Sequence, residues 1–70
     1  MYENNRLLRA VDPNSLYPGI RVYDRDSHRE GEIIKIEYSG RGMPDILVVF
    51  DGSDRPVNSV DYPGMVILET

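Results

Sequence analysis

Apolar positions in this chain come in short alternating runs, and each run is soon cut off by a turn signal. Ile20-Arg-Val-Tyr23 alternates and follows Pro18-Gly19, the pattern of a strand leaving a turn. Asp24-Arg-Asp-Ser-His-Arg-Glu30 is wholly polar and predicts an exposed loop. Gly31-Glu-Ile-Ile-Lys-Ile-Glu-Tyr38 predicts a half-buried strand, with Ile34, Ile36 and Tyr38 on one face and Ile33, Lys35 and Glu37 on the other. A bend is expected where Ile33 and Ile34 both need cover. Ser39 to Pro44 holds two glycines and a proline and predicts a turn or mobile loop.

Asp45-Ile-Leu-Val-Val-Phe50 is the most apolar run and reads as the central strand. Asp51-Gly52 after it is a hairpin signal, because such turns need positive φ that Asp and Gly tolerate. Arg55-Pro-Val57 then predicts a brief strand, and Pro56, which cannot donate to a ladder, puts it at an edge or a bulge. Asn58 to Tyr62 reads as a single 3₁₀ turn, and Met65-Val-Ile-Leu68 as the last strand. Five short strands separated by turns predict an all-β domain over residues 17–70, a small closed or nearly closed five-stranded antiparallel barrel. Residues 1–16 differ. Leu7, Leu8 and Val11 fall at a rough helical spacing before Asp12-Pro13-Asn14-Ser15, a stop signal, so a short helix or ordered N-terminal arm is expected. A helix this short is marginal in water and needs the barrel or a partner to lie on.

Composition narrows the function. The chain has 70 residues, and a domain that small buries only ~60% of the surface its unfolded form exposes. With no cysteine it has neither disulfides nor thiolate metal sites to add to that core. No apolar run reaches the ~18 residues of a membrane span, and the N-terminus lacks a signal-peptide layout, so a cytoplasmic protein is expected. The net charge of −4 argues against a protein that mainly coats a phosphate backbone. Of its eight basic residues only Lys35 is a lysine, and arginine suits bidentate, partly dehydrated contacts.

Gly19-Ile-Arg-Val22, His28 before Gly31, Ile33, Ile36 and Val49-Phe50-Asp51-Gly52 together resemble the SH3-like barrels of the Tudor and KOW group. The spacing from His28 through Gly31 to Ile33-Ile34-Lys35-Ile36, followed by Val-Phe-Asp-Gly, looks most like the Tudor-like domain at the C-terminus of UvrD/PcrA-type helicases. It is similar, more distantly, to CarD-type transcription regulators. Both families dock on RNA polymerase, so the resemblance implies a protein-docking role near RNA polymerase or another nucleoprotein complex. In Tudor domains an aromatic cage holds a methylated lysine or arginine through cation–π attraction. Tyr23 and Phe50 fall at positions similar to cage residues, but Asp51-Gly52-Ser53 supplies no second aromatic.

The candidate binding residues are Tyr23, Phe50 and Tyr62 as anchors, with Arg25, His28, Arg29, Asp51 and Arg55 around them. They would form a groove between the Asp24 to Glu30 loop and the Asp51 to Asp54 hairpin, the arginines pairing with carboxylates at the rim. Addition of a partner strand to an exposed barrel edge is the other route. The 24–30 loop makes neither a metal site nor a general-base site, since arginines interrupt its carboxylates and its one His has no nucleophile beside it. No catalytic residue, metal or cofactor is expected. Nucleic acid comes second as a partner, through a basic face of Arg21, Arg25, Arg29, Lys35 and Arg41 with Tyr23 or Tyr38 for stacking. An accessory subunit of a larger complex is the remaining alternative, and would expose an apolar patch of Leu7, Leu8, Val11 or Leu16.

Overall fold

The computed structural model describes residues 5–38, 40 and 42–68. The fold is all-β: five strands, β1 (Arg21–Asp24), β2 (Arg29–Glu37), β3 (Asp45–Phe50), β4 (Val57–Asn58) and β5 (Met65–Ile67), form one antiparallel sheet in the order β4-β3-β2-β1-β5. The nine-residue β2 therefore holds the centre, while β3, the most apolar strand, sits between it and the edge. The run of apolar residues predicts β3 as the central strand; β2 takes that place instead because its length lets residues 29–32 pair with β1 and residues 31–37 with β3. Strands β4 and β5 are the two ends of the row, and no ladder joins them among the described residues. Pro56 precedes the edge strand β4, where its missing donor is harmless.

Period-two alternation sorts the side chains. Val22 pairs with Gly31 and Gly31 with Phe50, so these three share the inner face. Arg21 and Tyr23, paired with Glu32 and Glu30, share the outer one. The inner face gathers Val22, Ile33, Ile46, Val48, Phe50, Met65 and Ile67 into one core. The predicted bend in β2 is a β-bulge: Ile33 pairs with Val48 and Lys35 with Leu47, so Ile34 is the extra residue. This corrects the face assignment. The bulge turns Ile33 into the core and leaves Ile34 39% exposed, while Ile36 packs against the core and Tyr38 lies in solvent.

From residue 5 onward the arm is ordered but is not an α-helix. It makes two 3₁₀ turns, Leu8–Ala10 and Pro13–Ser15, the second capped by Asp12, whose Oδ1 accepts from the Asn14 amide at 3.0 Å. Leu7 bridges Val66, and the Ile67 amide donates to the Arg6 carbonyl at 3.0 Å, so the arm runs along the free edge of β5. Leu8, Val11 and Leu16 are buried in the same core as the sheet residues. The exposed apolar patch expected of an accessory subunit is thus taken up within this chain, which spends those three side chains on its own core.

Two substitutions test this packing. Leu8→Ala removes a buried side chain and is expected to destabilise by about 2–4 kcal/mol, lowering Tm by roughly 10–20 °C for a domain this small; a dispensable arm would give no change. Gly31→Ala is expected to cost about 3 kcal/mol, because its Cβ would lie 2.7 Å from the Val49 carbonyl oxygen and 3.1 Å from the Phe50 Cα. Gly64→Ala, which meets only the movable Asp26 carboxylate, should stay within about 1 kcal/mol. Thermal unfolding followed by circular dichroism reads all three.

Candidate functional site

The expected Asp24 to Glu30 loop is a tight hairpin. Asp24 pairs with Arg29 and Tyr23 with Glu30, which leaves only Arg25–His28 to turn, with His28 in the left-handed region at φ 58°. Polarity misled here because strand ends on an exposed hairpin are themselves polar. Asp24 faces inward and is 1% exposed. Its Oδ2 accepts from the Ser27 amide at 3.1 Å and the Ser27 hydroxyl at 2.6 Å, so a buried carboxylate organises the turn. Its Oδ1 has no hydrogen-bond partner among the described residues. Arg25 donates from both its backbone amide and its Nε to the Gly64 carbonyl, each at 3.3 Å, tying the hairpin to the Pro63-Gly64 turn. His28 Nδ1 lies 2.9 Å from the Tyr23 hydroxyl.

The aromatic residues do not gather into a cage. Phe50 is 1% exposed and belongs to the core, with Tyr62 edge-on at 5.2 Å and 71°. Tyr23 is on the outer face of the sheet, opposite to Phe50, because it pairs with Glu30 whereas Phe50 pairs with Gly31. One face of the Phe50 ring is covered by a cation: the Arg29 guanidinium lies 4.3 Å from its centroid. At an exposed position such a contact stabilises by about 0.5–1 kcal/mol. The anchoring role expected for Phe50 is therefore replaced by a core role, and Arg29 covers it instead of reaching for a partner.

On the outer face Arg21 sits among three carboxylates, Glu30 at 3.0 Å, Glu32 at 3.7 Å and Asp51 in the shortest contact. The hydrogen bond from Arg21 holds the exposed Asp51 carboxyl below its usual 3.8, and the same contacts raise the guanidinium further. Lys35 pairs with Glu37 at 3.2 Å. Of the basic residues expected to form one face, Arg21 and Lys35 lie on the outer side, each paired with acids, and Arg29 caps the inner side. Arg41 lies outside the described residues. The Asp51-Gly52 turn forms as expected, with Gly52 at φ 84° and the Ser53 amide donating to the Phe50 carbonyl at 3.0 Å. Arg55 follows it on the surface, its backbone amide bonded to Ser53 Oγ at 3.2 Å.

Two concavities are open to solvent. One, of about 300 Å³, is lined by Glu32 and Ile34 of β2, by Val49 and Phe50 and by the 51–53 turn, with no residue of the 25–28 turn. The other, of about 330 Å³, lies elsewhere: between the first 3₁₀ turn of the arm, the start of β3 and the Ser59–Asp61 turn. Its floor is Leu8, Ile46 and Tyr62, and on its rim stand Met43 and Val60, 62% and 74% exposed. The Ser59–Asp61 turn is held in place by Asn58, whose Oδ1 accepts from the Val60 amide at 3.1 Å while its Nδ2 donates to Asp45 Oδ1 at 3.1 Å. Of the expected site residues only Tyr62 lines this groove. Sequence reading missed the others because they come from three distant segments. The available signals were slight: Val60, an apolar residue within a polar turn, and Met43, a bulky one within a glycine-rich loop.

Among the described residues no group of three or more His, Asp or Glu side chains is placed to hold a metal ion, and no helix is long and apolar enough to cross a membrane. Compared with known proteins, the chain matches no family model, no curated protein and no solved structure.

The Arg21–Asp51 contact makes a pH prediction. A carboxyl whose folded pKa is depressed contributes stability that is present above its unfolded value, here 3.8, and is lost as pH falls through the folded value. Arg21 stays protonated throughout. Wild type is therefore expected to be more stable than Asp51→Asn at neutral pH, the gap closing as the medium is acidified below about pH 4; thermal melts across that range would show it, and a gap independent of pH would contradict it.

Proposed function

We propose that this chain is a non-catalytic protein-binding module, acting in the cytoplasm, that docks a partner through the groove between the arm, β3 and the Ser59–Asp61 turn. The observation that carries this reading is the pairing of an apolar floor, Leu8, Ile46 and Tyr62, with two rim side chains, Met43 and Val60, that stay largely in solvent. Large apolar side chains grouped around a concavity lose water when a partner covers them, and each fully buried one is worth about 1.5–3 kcal/mol. The resemblance to Tudor-type barrels adds that the partner belongs to transcription or nucleic-acid-processing machinery, RNA polymerase or another nucleoprotein complex. The dispersal and pairing of Arg21, Lys35 and Arg29 support a protein partner over nucleic acid, which would need free cations on one face. The lone histidine, bonded to Tyr23, supports a role without catalysis.

A photo-crosslinking residue placed at position 60, with one at position 35 on the opposite side as control, tests this in cells. A discrete protein adduct from position 60 alone, resistant to nuclease, is the expected result, and adducts that vanish with nuclease would make the chain a nucleic-acid binder. Val60→Asp, on an exposed side chain, should leave stability within about 0.5 kcal/mol while weakening capture of that partner at least about tenfold.

A further inference from the structure

The groove carries two charges that are not paired with each other. Arg9 reaches it from the first 3₁₀ turn of the arm, and its side chain makes no hydrogen bond or ion pair among the described residues. This sets it apart from Arg21 among its carboxylates, Arg25 on the Gly64 carbonyl and Arg29 on the Phe50 ring. Asp45 reaches the groove from the first residue of β3 and gives one oxygen to Asn58 Nδ2 at 3.1 Å. Among the described residues no cation pairs with it. A positive and a negative side chain thus face one apolar groove from different walls.

Resting on the reading that this groove is the docking surface, we infer that its occupant is a short extended peptide segment in which one large apolar side chain is flanked by an acidic residue on one side and a basic residue on the other. The volume, about 330 Å³, lies at the small end of ligand-sized pockets and suits one or two side chains. An occupant that covers the groove also takes water from Arg9 and Asp45, and burying a charge without a partner is costly. A purely apolar segment would leave both stranded, and a segment of one sign would leave one stranded and repel it. A bipolar segment pairs with both, and the arrangement fixes which way it lies, its acidic end toward the arm and its basic end toward β3.

The test is a random-peptide display selection on the intact chain, run in parallel on wild type, Arg9→Gln and Asp45→Asn. Asn at position 45 keeps an oxygen to accept from Asn58, and both substitutions should leave Tm unchanged. Recovered peptides, made synthetically, are then titrated while the methyl resonances of Leu8, Ile46 and Val60 are followed. Wild type is expected to select apolar residues between opposite charges and to show shifts at those methyls. Arg9→Gln should lose the acidic preference alone and Asp45→Asn the basic preference alone, each weakening the wild-type peptide about tenfold. Peptides that shift the methyls without any charge preference would overturn the inference and leave the docking reading standing. Peptides that bind without moving those methyls would overturn both. A concentration-dependent dimer that protects the same methyls and is broken by Arg9→Gln would also overturn it, making a second copy of the chain the occupant.

Discussion

Much of the structure depends on the bare backbone at Gly31. Residue 31 sits in the middle strand between Val22 of β1 and Phe50 of β3, and any side chain there would run into the Val49 carbonyl and the Phe50 Cα. With no Cβ between them, Val22 and Phe50 both turn into the same core, and the largest ring of that core lies against the sheet. From the position of Phe50 follow the edge-on contact with Tyr62 and the capping of the ring by Arg29. The hairpin that carries Arg29 is in turn held by the buried Asp24 and by Arg25 on Gly64. One position without a side chain thus lets Val22 and Phe50 meet in one core.

The cover of that core depends on the arm. A sheet of this size exposes its inner face unless something lies over it, and here Leu8, Val11 and Leu16 do so. The arm covers that face without closing it entirely, and the opening that remains, between Leu8, Ile46 and Tyr62, is the groove. Stability and the proposed binding surface therefore rest on the same side chains. A partner that fills the groove extends packing that the core has already begun, which is why its floor can be apolar without marking a defect.

How much of this was legible in the sequence differs from element to element. The strands expected at residues 31–38, 45–50 and 65–68, the 3₁₀ turn after Asn58 and the edge-or-bulge position marked by Pro56 follow from apolar patterning and turn chemistry, because these are local properties. The facing of Ile33 and Ile34 was not legible, since a bulge is decided by how β2 meets β3 and not by β2 alone. Asp24, Arg29 and Glu30 read as loop because a polar strand end and a polar loop have the same composition. Phe50 and Tyr23 are each near a strand end, and only the register puts them on opposite faces. Tyr62 was expected beside the 24–30 loop and the 51–54 hairpin and instead lines a groove the sequence did not suggest, since Leu8, Met43, Ile46 and Val60 meet only once the arm, β3 and the last turn have packed.

Arm and sheet share one core, and the groove lies between them. Native-state hydrogen exchange shows whether the two open as one cooperative unit, by comparing the Ile67 amide, bonded to Arg6, and the Val11 amide, bonded to Leu8, with the amide of Val48 in β3. The expected result is that all three open together, with the same dependence on denaturant. If the Ile67 and Val11 amides exchange freely while Val48 stays protected, the arm is a separate appendage and the groove is not a fixed feature of the fold.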